Sequence, residues 1–246
     1  MKLKYWTIVA LGALCSCTDV LDTAPDGRLS MEDVFSDPTK VGAFLNTCYN
    51  NLPRKGYFYW GWDPAPVSLS DDAWTSGDGG SGAAPKLYRG TASASDHPVR
   101  DAWLDASQNT QWCTNNYWQR YWEQIRLCSQ FIEHIDEAAV NSEVDRDRYR
   151  AEAHVLRAYF YSELVKWFGQ LPVIRGSLDF EQSFAELHRE SVYEVAKFIE
   201  EDCDAAIYSD NLPWRITTSS ENLRVTKALA WAIKSKMMLF AASPLF

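Results

Sequence analysis

The sequence predicts an all-α fold of antiparallel helix pairs, interrupted by one long irregular insertion rich in aromatic residues. Three observations carry this. Apolar residues recur at helical spacing in several separate segments, strand-like alternation is almost absent, and residues 53–116 show neither pattern while holding eight Trp and Tyr residues.

The first helix is expected over 38–52. Asp37-Pro38 supplies an N-cap and a first-turn proline, and Val41, Phe44, Leu45, Cys48, Tyr49 and Leu52 fall on one face before Pro53. Residues 117–139 place Tyr121, Ile125, Cys128, Ile132 and Ile135 on one stripe with Trp118 and Trp122 beside it. Residues 146–168 repeat the pattern with Tyr149, Ala153, Leu156, Phe160, Leu164 and Trp167, and Gly169 and Pro172 end them. Trp118, Trp122 and Trp167 are read as core on these stripes. Leu171 to Ile174 reads as a short extended piece. Ser191-Val192-Tyr193-Glu194 has the form of a capping box and opens a helix carrying Val195, Ile199, Cys203 and Ala206. Thr226 to Ala242 is alanine-rich and should pack closely on a neighbour. No strict 34-residue repeat is visible in the periodicity.

The N-terminus bears on the compartment. Lys2 and Lys4 precede the uncharged run Tyr5–Leu14, too short for a membrane helix of about 20 residues but suited to a signal-peptide core. Leu14-Cys15-Ser16-Cys17 then has the form of a bacterial lipobox, with Cys17 as the acylated residue after removal of 1–16; Cys15 fits poorly because Leu14 would take the small-residue position. Residues 17–246 are then the mature helical domain. The formal net charge is −9, and loss of Lys2 and Lys4 deepens it, so nucleic acid is not an expected partner. Cys48, Cys113, Cys128 and Cys203 could form two disulfides in three connectivities, or serve as small buried apolar residues, which the chain length favours. There is no C-x-x-C, and His97, His134, His154 and His188 share no metal-ligand spacing, so no metal site and no cofactor is expected.

Several motifs fail on context. Gly77 to Gly82 matches G-x-G-x-x-G without the flanking strand and helix a dinucleotide needs. Asp71-Asp72 beside Trp74 invites a glycosidase reading, but adjacent loop aspartates seldom converge on one bond, and no G-x-S-x-G is present. The aromatic load of 53–116 is more informative, because disorder goes with few aromatics and so long a loop in a compact domain usually has a function. A sugar ring packs its axial C–H groups on Trp or Tyr and directs its hydroxyls to planar polar groups. Asp72 and Trp74 supply both near the start of this insertion; Trp112, Asn115 and Asn116 supply both at its end.

Four ordered blocks, with the lipobox, resemble the SusD/RagB family. Tyr121-Trp122-Glu123-Gln124-Ile125 is similar to its Tyr/Trp-x-x-Ile helix. Ala151-Glu152 through Leu156-Arg157-Ala158 to Tyr161, then Leu164-Val165 and Phe168-Gly169 to Pro172, resembles its A-E-x-x-x-L-R-A-x-x-Y and F-G-x-x-P signature. Arg189 through Ala206 and Arg224 through Pro244 look like the next two blocks. The resemblance implies tetratricopeptide-like helix pairs and an outer-membrane, surface-facing lipoprotein. It also implies binding of oligosaccharide (in some members peptide) beside a SusC-like TonB-dependent transporter, without catalysis. On it, the ligand residues are Asp72, Trp74, Trp112, Asn115 and Asn116, and the chain is an N-terminal portion lacking the second half of the family's length. A helical scaffold that contacts only protein, or less plausibly a glycoside hydrolase, are the alternatives.

Overall fold

A computed structural model describes residues 29–50, 52, 88–91, 117–178, 185 and 187–244. Among the described residues the chain forms six α-helices and no strand longer than a single bridge: α1 (Met31–Phe35), α2 (Pro38–Cys48), α3 (Tyr117–His134), α4 (Glu143–Phe168), α5 (Val192–Ile207) and α6 (Lys227–Ala241).

Local chemistry sets the ends. Ser30 and Asp33 close a reciprocal capping box on α1. The Asp37 carboxylate accepts from the Thr39 N–H, with Pro38 in the first turn of α2. Ser142, Ser191 and Thr226 cap α4, α5 and α6 with their hydroxyls. Gly169 ends α4 at φ 70°, a conformation that costs glycine little. The expected helix over 38–52 stops at Cys48, because the Tyr49 N–H turns back to the Asn46 and Thr47 carbonyls.

The long helix α4 lies between antiparallel neighbours α3 and α5, and α6 packs antiparallel on α5. α2 lies across α3 and α4. The result is a stack of antiparallel helix pairs. Tyr121, Ile125, Leu156, Phe160 and Leu164 are fully buried, as their stripes predict. α4 is buried on more than one face: Val155, Ala158, Tyr161 and Val165 are also out of water, since helices cover it on both sides. Cys48, Cys128 and Cys203 are free thiols at zero exposure, and burial pushes the Cys203 thiol up to about 12, which makes it inert. Cys113 lies outside the described residues.

Beyond Gly169 the chain runs extended along the helices. Leu171 bridges antiparallel to Glu190, the Ile174 N–H donates to the Tyr161 hydroxyl at 2.9 Å, and Ser177 donates from its N–H and hydroxyl to Glu133. No described helix is long and apolar enough to cross a membrane.

Candidate functional site

Cys17, Asp72, Trp74, Trp112, Asn115 and Asn116 all lie outside the described residues. The described helix that follows directly on Asn116 is α3, and its first turns carry the candidate site. Trp118, Gln119, Trp122, Glu123 and Arg126 line an open cleft of about 560 Å³. The positions 118, 122 and 126 form one ridge of the helix and 119 and 123 the next, so the i, i+4 spacing alone gathers two indoles, a guanidinium, an amide and a carboxylate.

Trp118 corrects its assignment to the core. It is 36 % exposed, standing edge-on to Trp122 (ring centroids 5.6 Å apart) and to Phe168 (5.0 Å). It sits in the first turn of α3 beside the last residue of α4, where the helix pair ends and covers only part of the ring. Trp122 and Trp167 are half-buried against the core rather than within it. Trp122 packs edge-on against Tyr161, and its Nε1–H finds no acceptor among the described residues. Gln119 donates to Glu123 at 2.9 Å, which holds a planar polar pair beside the rings. Such a surface offers what a sugar needs: an aromatic edge or face for C–H groups, with donors and acceptors beside it for hydroxyls.

Two buried polar clusters fix the helices that carry this cleft. Arg157 meets Asp202 through two hydrogen bonds (2.8 and 2.7 Å) and also donates to Ser129 and to the Arg175 carbonyl. His154 Nδ1 lies 2.8 Å from the same carboxylate. Burial works against the Asp202 charge, but the Arg157 and His154 hydrogen bonds outweigh it and hold the carboxyl below the usual range. α3, α4, α5 and the segment after α4 are thereby tied at one point. The second cluster centres on Glu152, which has no exposure and accepts from Tyr49 (2.7 Å) and Arg148 (3.0 Å), with Arg224 at 3.5 Å. Burial is the dominant influence there and raises the Glu152 carboxyl above its ordinary value. The Glu and Arg of the A-E-x-x-x-L-R motif are therefore structural ties, a role the sequence did not disclose because their partners come from α2, α5 and the turn before α6. Among the described residues no group of His, Cys, Asp and Glu is arranged to hold a metal.

The fold and cleft define an all-α protein of tetratricopeptide-like helix pairs with an aromatic and polar surface at one end. The family model SusD-like_3, described as starch-binding and associating with the outer membrane, matches residues 83–239, and the chain belongs to that family. Among solved structures, a SusD-like protein from Bacteroides fragilis is 26 % identical with a TM-score of 0.62, covering 86 % of this chain and 36 % of its own. A SusD-like carbohydrate binding protein from the same organism is 20 % identical (TM-score 0.62; 85 % and 38 % covered). Surface glycan-binding protein A from Bacteroides thetaiotaomicron, solved with laminarihexaose, is 17 % identical (TM-score 0.60; 82 % and 38 % covered). The chain thus spans well under half the length of these relatives. No curated protein matches it.

Proposed function

We propose that this chain binds a glycan at the cell surface and works by binding rather than by catalysis. The observation that carries the proposal is the Trp118 cleft on α3 in a member of a family described as starch-binding and outer-membrane associated. On this reading Trp112, Asn115 and Asn116, which immediately precede the helix in sequence, and Asp72 and Trp74, from the start of the same insertion, are further ligand residues. Residues 1–16 form the leader, Cys17 carries the lipid that holds 17–246 at the outer membrane, and the bound glycan passes to a SusC-like TonB-dependent transporter.

Tryptophan fluorescence of the chain from Thr18 onward, titrated with laminarihexaose, maltohexaose and xylohexaose, tests the central step. A saturable change with at least one of them is expected. No change with any, together with co-purification of a transporter, would point to a protein-only scaffold. Turnover abolished by Asp71→Ala or Asp72→Ala would make the protein a hydrolase. Cys17→Ala should release the protein from membrane fractions, because acyl-chain burial supplies the anchorage; continued acylation of that variant would place the lipid elsewhere.

A further inference from the structure

A second cavity lies at the other end of α4. It measures about 460 Å³ and is walled by Asn46 at the end of α2, Asp145 and Arg148 in the first turns of α4, and Glu221, Asn222 and Arg224 from the turn before α6. Arg148 and Phe168 are 20 residues apart on α4, so at 1.5 Å per residue about 30 Å separates this cavity from the Trp118 cleft. The two cannot share one sugar unit.

The wall combines two guanidinium groups, two carboxylates and two amides. An anionic ligand would meet Asp145 and Glu221 without a cation of its own; a cationic ligand would meet Arg148 and Arg224. A hydroxyl donates and accepts at once, so a neutral polyhydroxylated molecule is the chemistry that satisfies both kinds of group. Two further features mark the place. Arg148 donates to Glu152 and pairs with Glu221, yet its Nη2 is shut off from solvent and finds no acceptor among the described residues. An unmet guanidinium N–H is costly to keep, and a small turn of the Arg148 guanidinium toward a ligand oxygen in the cavity would relieve that cost. At the rim, Leu223 is held at φ 75° while 95 % exposed, a left-handed conformation that a leucine adopts only under constraint. That constraint keeps Asn222 and Arg224, its neighbours on either side, on the cavity wall. The volume falls within the range of small-molecule sites, about 300–1,000 Å³.

We propose that this cavity is a second carbohydrate site, taking one neutral pyranose unit independently of the Trp118 cleft. It rests on the carbohydrate reading of the protein, and its test separates the two. Ligand-observed saturation-transfer NMR on the chain from Thr18 onward would use glucose, galactose, mannose and xylose, with glucuronate and glucosamine as charged counterparts. At least one neutral sugar should bind with a Kd of about 1–10 mM, ahead of both charged sugars. The double substitution Asn46→Ala with Asn222→Ala removes two exposed side chains without touching the core, and should weaken that binding about ten-fold. The same variant should bind laminarihexaose, where the wild type does, with unchanged affinity. Absence of transfer from all four neutral sugars, preference for glucuronate or glucosamine, or binding that survives the double substitution would each overturn the proposal. Monosaccharide binding without any oligosaccharide binding would keep this site and remove the cleft; the reverse would remove this site and keep the cleft.

Discussion

Asp202 and Glu152 are both carboxylates taken almost wholly out of water in the same helical stack, and their surroundings push them in opposite directions. Asp202 faces a guanidinium squarely, through two hydrogen bonds below 3 Å, and has His154 on one of the same oxygens. Glu152 is shared among three donors, of which Arg224 stands at 3.5 Å and Arg148 divides itself with Glu221. Burial works against both charges; only at the first do the partners outweigh it. The difference shows that burial alone does not decide whether a charge ties a fold together. Paired, bidentate geometry does.

Removing the well-made tie should have the largest effect. Asp202→Asn leaves Arg157 charged, nearly buried (side chain 5 % exposed) and without its carboxylate. The expected loss is about 3–5 kcal/mol, read as a lower urea midpoint with an unchanged slope. A loss under about 1 kcal/mol would mean that the Arg157 hydrogen bonds to Ser129 and the Arg175 carbonyl suffice alone.

The two carboxylates should also part company with pH. Asp202 is depressed in the folded chain, so its stabilisation is present above the ordinary Asp pKa of about 3.9 and is lost as pH falls through the lower folded value. Glu152 is raised, so its contribution is present below the ordinary Glu pKa of about 4.3 and is lost as pH rises through the higher folded value. Urea midpoints measured across the acidic range should therefore fall less steeply with acid in Asp202→Asn than in the wild type. In Glu152→Gln they should lose a decline on the other side. The same slope change in both variants would remove the distinction between them.

Glu152→Gln should cost about 1 kcal/mol at neutral pH, because Arg148 keeps Glu221 and Arg224 keeps Asn46 as partners.

Much of this architecture was legible from spacing. The cap residues Asp37 and Ser191 stand where the sequence puts them, and Gly169 ends α4 as read. What escaped has physical reasons. α1 is five residues long and holds too little of a stripe to register. α4 starts at Glu143, three residues before its expected beginning, because its first turn, Glu143 to Arg146, is mostly charged and shows no apolar period. Periodicity also treats every residue on a stripe as covered along its whole length, which fails for Trp118 in a terminal turn. Both the Glu152 cluster and the polar cavity join residues from three distant segments, and no local pattern announces such a meeting.

Trp118→Ala separates binding from folding. The ring is over a third exposed, and its loss removes only the part resting on Trp122 and Phe168. A fully buried Trp→Ala change costs about 3–5 kcal/mol, so a partly covered ring should cost about 1–2 kcal/mol. Aromatic stacking on a ligand ring is worth about 1–3 kcal/mol for nucleobases, and a sugar should gain comparably or less, which gives a roughly ten-fold loss of affinity for whichever hexasaccharide binds. Trp112→Ala should behave alike in binding, being the aromatic that leads into the same helix. Trp167→Ala is the control: half-buried against the core, it should lower the urea midpoint more than Trp118→Ala and leave affinity alone. A Trp118→Ala chain that unfolds as readily as Trp167→Ala but binds as tightly as the wild type would return Trp118 to the core and move the ligand off α3.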